Sequence, residues 1–153
     1  MWGAKQEFPL PNSILWCYVL RNAIPFSKKG EMFIMIYLVY KMHLSEKSRR
    51  NMKDFWHWLE DREKWFYKEL PMVKGVRWYY SVIGDSYTIE SWSAFEDEAG
   101  FGEYRKALGT LKSDKEWETE RVSQDDWWEF ISTRLVTDPP VEIGFERGLS
   151  NGS

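Results

Sequence analysis

The chain has 153 residues and a net charge of −3, with 43% hydrophobic and 29% charged residues, the balance of one globular domain with a real core. Acidic and basic residues are interspersed without a basic stripe, which argues against nucleic acid as a partner. Aromatic residues reach 18% with ten Trp; either their large rings close the core or they wall a ligand cavity.

Residues 1–31 read as an N-terminal appendage. Its apolar run, Ile14 to Leu20, is too short to cross a bilayer. Only Lys5 is basic before that run, and Pro9 and Pro11 interrupt it, unlike a signal peptide. The segment is expected to be an extra strand packed on the domain, or upstream sequence with Met32 as an alternative start. Cys17 is the sole cysteine, so no intrachain disulfide forms; this fits a cytoplasmic protein with no membrane association.

Phe33 to Met42 is rich in β-branched and aromatic residues and reads as the first strand. It is apolar at both parities, which predicts cover on both faces. From Ser45 or Ser48, as N-caps, a helical pattern runs to Leu70, with Met52, Phe55, Trp56, Leu59, Phe66 and Leu70 near one face. Pro71 ends it. Val76 to Ile83 and Tyr87 to Ser93 form a hairpin around Gly84-Asp85-Ser86. Phe95-Glu96-Asp97-Glu98 starts a second helical region, where Phe101, Tyr104, Leu108 and Leu111 step by three and four. Ser113-Asp114 with Glu116 caps a further helical piece carrying Trp117. Phe130 to Thr137 is the last strand, stopped by Asp138-Pro139-Pro140. The domain therefore spans 32–140, with a tail at 141–153.

Strand, helix, strand, strand, helix, strand is the βαββαβ order of a ferredoxin-like α+β sandwich, an antiparallel sheet with both helices on one face. The opposite face carries apolar and aromatic residues, and a second copy laid against it, giving a homodimer, is the simplest cover; the appendage at 1–31 is the alternative one.

Within that order, Glu90-Ser91-Trp92, Ala94-Phe95-Glu96-Asp97, Tyr104-Arg105-Lys106-Ala107-Leu108 and Ser113-Asp114-Lys115-Glu116-Trp117 resemble the dimeric α/β-barrel superfamily. That superfamily includes antibiotic-biosynthesis monooxygenase-like, NIPSNAP-like and EthD-like domains, and the resemblance covers about residues 32–140. It implies a barrel built from two sheets and a role ranging from small-molecule binding to cofactor-free oxygenation. Haem-degrading relatives keep a His on the helix after the Trp and an Asn on the first strand. This chain has neither, so haem degradation is not expected.

Parity places Thr88, Glu90 and Trp92 on one face of the third strand and Ile89 and Ser91 on the other. A Glu among apolar neighbours needs a partner, and Arg134 or Arg77 is the candidate. Glu90, Arg134 and Tyr37 are the candidate catalytic residues, and Trp92, Trp78, Tyr79 and His43 the candidate ligand-binding ones. Tyr40, Tyr80 and Tyr104 add phenols with no assigned face. His43 and His57 lie far apart, with no Cys or carboxylate at ligand spacing, so no metal is expected, nor any cofactor. No nucleophile elbow or phosphate-cradling glycine loop is present. Three functions stay open. The preferred one is binding of a small hydrophobic or aromatic molecule without catalysis. The others are a cofactor-free monooxygenase, cyclase or isomerase, and an interaction module with a solid barrel.

Overall fold

The computed structural model describes residues 34–141 and residue 143. The expectations for residues 1–31, for Phe33 and for most of the tail lie outside these residues.

β1 (Ile36–Leu44) sits inside a four-stranded sheet of order β2-β3-β1-β4, with every pairing antiparallel. Its even-numbered residues, Ile36, Leu38, Tyr40, Met42 and Leu44, pack against the helices. Its odd-numbered residues therefore face the other way, as the period of two requires. The strand starts later than expected and runs on through His43 to Leu44, whose side chain is fully buried.

α1 (Glu46–Arg50) starts at Ser45, whose hydroxyl accepts from the Ser48 amide. The single helix expected to run to Leu70 is broken at Asn51 and ends sooner. Asn51 closes α1, and its side chain accepts from the Asp54 amide to open α2 (Met52–Phe66). Phe55, Leu59, Arg62 and Phe66 form the buried stripe of α2. Its exposed partner Trp56 turns instead to Tyr80 at the sheet edge, 5.9 Å away.

β2 (Gly75–Tyr80) and β3 (Thr88–Phe95) pair as the expected hairpin, but the connection is seven residues, 81–87, not three. Val82 and Ile83 are 86% and 93% exposed and belong to this loop rather than to a strand. Gly84 (φ 93°) and Tyr87 (φ 62°) take left-handed backbone there and turn the chain. β3 runs past Ser93, and Phe95 is its last core residue rather than a helix start.

α3 (Glu98–Leu111) is capped by Asp97, whose carboxylate accepts from the Gly100 amide at 2.8 Å. α4 (Lys115–Ser123) is capped by Asp114, whose Oδ1 accepts from the amides of Glu116 and Trp117 at 2.9 and 3.0 Å. After a short 3₁₀ turn, β4 (Trp128–Thr137) begins two residues before the expected Phe130. Its register against β1 shifts between Lys41 and Met42, which pair with Ser132 and Phe130. Ile131 is the extra residue of a β-bulge.

Both helical layers lie on one side of the sheet, as expected. Phe55 and Leu59 of α2 cluster with Met42, Leu44, Ile89 and Trp128. Tyr104 of α3 clusters with Leu38, Phe66, Leu70 and Phe95. The layer between sheet and helices is filled largely by rings: Trp58 lies 5.1 Å from Trp127 and 4.9 Å from Trp128, and Trp78 stacks on Trp128 at 5.6 Å.

Candidate functional site

Among the described residues no helix lies against the sheet's other face. Across it, Arg77, Trp92, Val39 and Arg134 stand in one row, and Tyr79, Glu90, Lys41 and Ser132 in the next. β4 contributes Arg134 here because the bulge reverses its parity between Phe130, which packs on Tyr40 of the helix side, and Arg134.

Glu90 and Arg134, one of its two candidate partners, meet. Arg134 Nη2 donates to Glu90 Oε2 at 3.1 Å, and both terminal guanidinium nitrogens reach Oε1 at 3.3 Å. The Trp92 indole N–H donates to Glu90 Oε2 at 3.0 Å, and the guanidinium lies over the Trp92 ring at 5.6 Å. Tyr79 and Tyr37 flank that ring at 5.7 and 6.1 Å. Val39, beneath these large side chains, is fully buried although no helix of the described residues covers it. The result is an aromatic surface around one charge-assisted hydrogen-bond cluster.

Tyr37 is tied down at its phenol. Its OH donates to Asp138 Oδ2 at 3.4 Å, and the same oxygen accepts from the Met35 amide at 3.0 Å. Burial, then the Asp138 charge, raises the Tyr37 pKa, so this phenol is a donor rather than a base. Lys41 binds Asp85 of the 81–87 loop at 2.8 Å, and this holds the Asp85 carboxyl below its ordinary range. His43 lies at the far end of β1 on the same face, paired with Thr88 and Glu129.

Trp78 is not part of this arrangement. It points to the helix side, against Trp128, so of the residues expected to bind ligand only Trp92, Tyr79 and His43 share a face. His57 is an exposed α2 residue 3.9 Å from Glu60. Among the described residues no three His, Cys, Asp or Glu side chains converge as a metal site requires.

A second polar cluster, between sheet and helices, went unread in the sequence. The Arg62 side chain is 7% exposed. Its Nε donates to Gln124 Oε1 at 2.6 Å and its Nη1 to Glu63 Oε1 at 2.8 Å. Its guanidinium lies 3.9 Å from the Phe66 ring centre and 5.4 Å from that of Trp128. Burial raises the Glu63 pKa, and Arg62 opposes that rise. Burial also raises Tyr67, whose OH meets Ser93 Oγ at 3.4 Å, and Tyr104, which faces Tyr40. The indole nitrogens of Trp78 and Trp128 are buried here without a hydrogen-bond partner among the described residues. The readable signal for Arg62 was spacing: it falls on the stripe of Phe55, Leu59 and Phe66 at steps of four, three and four.

An open groove of about 750 Å³ lined by residues such as Trp65, Lys68, Leu111 and Trp117 lies against neither cluster. No helix of the described residues is long and apolar enough to cross a membrane.

No protein-family model and no curated protein matches the sequence. Solved structures do match. A NIPSNAP family protein from Agrobacterium tumefaciens aligns with a TM-score of 0.53 at 11% identity, over 76% of this chain and 95% of its own. A second NIPSNAP family protein of unknown function from the same organism aligns with a TM-score of 0.51 at 16% identity, over 75% of this chain and 96% of its own. A putative antibiotic biosynthesis monooxygenase from Bacteroides thetaiotaomicron aligns at 12% identity over 75% of this chain and 96% of its own. Its TM-score of 0.42 is too low to carry an argument. The likeness establishes the ferredoxin-like α+β fold shared with NIPSNAP family structures.

Proposed function

We propose that this chain, with the ferredoxin-like fold of NIPSNAP family structures, binds a small hydrophobic or aromatic molecule without transforming it. The molecule would sit on the open sheet face, beneath a second copy of the chain.

The state of Glu90 carries the choice of binding over catalysis. Both its oxygens already accept from Arg134, and Oε2 also accepts from Trp92. A carboxylate with both oxygens engaged by fixed donors acts as an anchor of the surface and leaves no oxygen free to reach a substrate. Tyr37, with its raised pKa, supplies no base either. What the face offers is ring surface: Trp92 and Tyr37 half-buried, and Tyr79 50% exposed. Such a patch, without cover among the described residues, supports reading this face as an interaction surface. A self-complementary two-fold pairing closes it without further machinery, and the space between two such faces suits a flat apolar molecule.

Native mass spectrometry of protein purified without added ligand tests this. Twice the chain mass with a small adduct supports the reading. A bare monomer that also takes up no aromatic compound overturns it. A purified protein that turns over such a compound overturns the non-catalytic part.

A further inference from the structure

Four cationic or anionic side chains on the open face have their charge matched. Arg134 is matched by Glu90 and Lys41 by Asp85. Asp138, at the margin, accepts from Met35 and Tyr37. Arg77 is different. On β2 it stands directly beside Trp92 and one step from Tyr79, and it is near enough to Tyr37 for its charge to favour the ionised phenol. Among the described residues no carboxylate lies within ion-pair distance of it. Sequence reading offered Arg77 and Arg134 as rival partners for Glu90, and Arg134 took that place. The row Arg77–Trp92–Val39–Arg134 thus presents one unmatched guanidinium beside a Trp ring framed by two Tyr rings. A guanidinium is a planar fork of donors that fits a carboxylate with two parallel hydrogen bonds.

We infer that the ligand of the open face is a planar aromatic or conjugated monocarboxylate, its ring laid against Trp92 between Tyr37 and Tyr79 and its carboxylate on Arg77. This rests on the binding reading above and assigns Arg77 as the residue that sets ligand class. Glu90 strengthens the selection. A second negative group on the ligand placed toward the Tyr79–Glu90 row would meet a carboxylate, so mono-acids are preferred over di-acids.

Calorimetric titration of the full chain with 1-naphthoate and with its neutral isostere 1-naphthamide tests the inference. The acid should bind about tenfold or more tightly than the amide. Arg77→Gln should erase that preference, so that the acid binds no more tightly than the amide. Arg77→Lys, which keeps the charge but loses the fork, should restore part of it. Circular dichroism of each variant checks that it is folded. Equal affinity for acid and amide in the parent chain, or a preference that survives in Arg77→Gln, overturns the carboxylate assignment while binding itself stands. If neither compound binds, the binding site falls and the assignment falls with it.

Discussion

Replacing Arg62 by Met removes one charge from the interior and strands another. The Met side chain still packs on Phe66, where the guanidinium lies 3.9 Å from the ring centre, so little apolar contact is lost. The electrostatic loss has two parts. Glu63, with 28% of its side chain exposed, keeps a partly buried carboxylate without its partner. Because that carboxylate reaches some water, the cost is below that of a fully buried broken pair, about 2 kcal/mol. The Gln124 carbonyl, also buried, loses its donor at about 1 kcal/mol more. The expected loss is therefore about 3 kcal/mol at neutral pH. The sign of its pH dependence follows from Glu63. Burial already raises the folded pKa of Glu63 above the unfolded value, and Arg62 restrains that rise. Without Arg62 the folded pKa goes higher still. A group raised in this way destabilises the fold once pH exceeds its folded pKa, and this penalty fades as pH falls toward the unfolded value. Urea unfolding of parent and variant at about pH 7.5 and about pH 5 should show a smaller deficit at the lower pH. Glu63→Gln in the Arg62→Met background should recover stability at the higher pH. A deficit under about 1 kcal/mol, or one equal at both pH values, refutes the account of a stranded carboxylate.

Three further outcomes are expected. Glu90→Gln should shift unfolding free energy by less than about 1 kcal/mol, since Arg134 is 46% exposed and its charge well screened, and should retain any co-purified ligand; urea titration and native mass spectrometry check both. Tyr79→Glu places a carboxylate on the open face beside Glu90, and light scattering should then find a folded monomer in place of the dimer proposed for the parent. Asp114→Ala removes the acceptor for two amides at the start of α4 and should cost about 1 kcal/mol in urea unfolding.

The strand faces were legible because a period of two is local information. Glu90 and Trp92 share a face in the structure as they do by parity, and Ile89 and Ser91 take the other. The same rule separates Trp78 from Tyr79, which no single ligand surface on one strand can hold together. Strand ends were less legible. Val82 and Ile83 are β-prone, yet the left-handed residues Gly84 and Tyr87 widen the turn and leave them in water. The helix break was hidden because Asn51 serves both helices at once, a compact use of one side chain that helical periodicity passes over. Arg62 was missed because a helical Arg is ordinarily solvated. Only its place on the apolar stripe marked it. The charge on Arg77 became informative only when the pairing of Glu90 with Arg134 was known, a three-strand relation that no window of sequence contains.

The bulge at Ile131 has a consequence for how this chain tolerates change in its gene. Trp128 and Arg134 are both even-numbered, yet one belongs to the core and the other to the open face, and a single unpaired residue reconciles them. Loss of one codon there would force a choice. Either Trp128 leaves the core, or Arg134 turns away from Glu90 and swings under the helices. Point substitutions along β4 act one side chain at a time, whereas a one-residue length change would reverse half the strand. Sequence drift in this strand is therefore bounded more tightly in length than in composition.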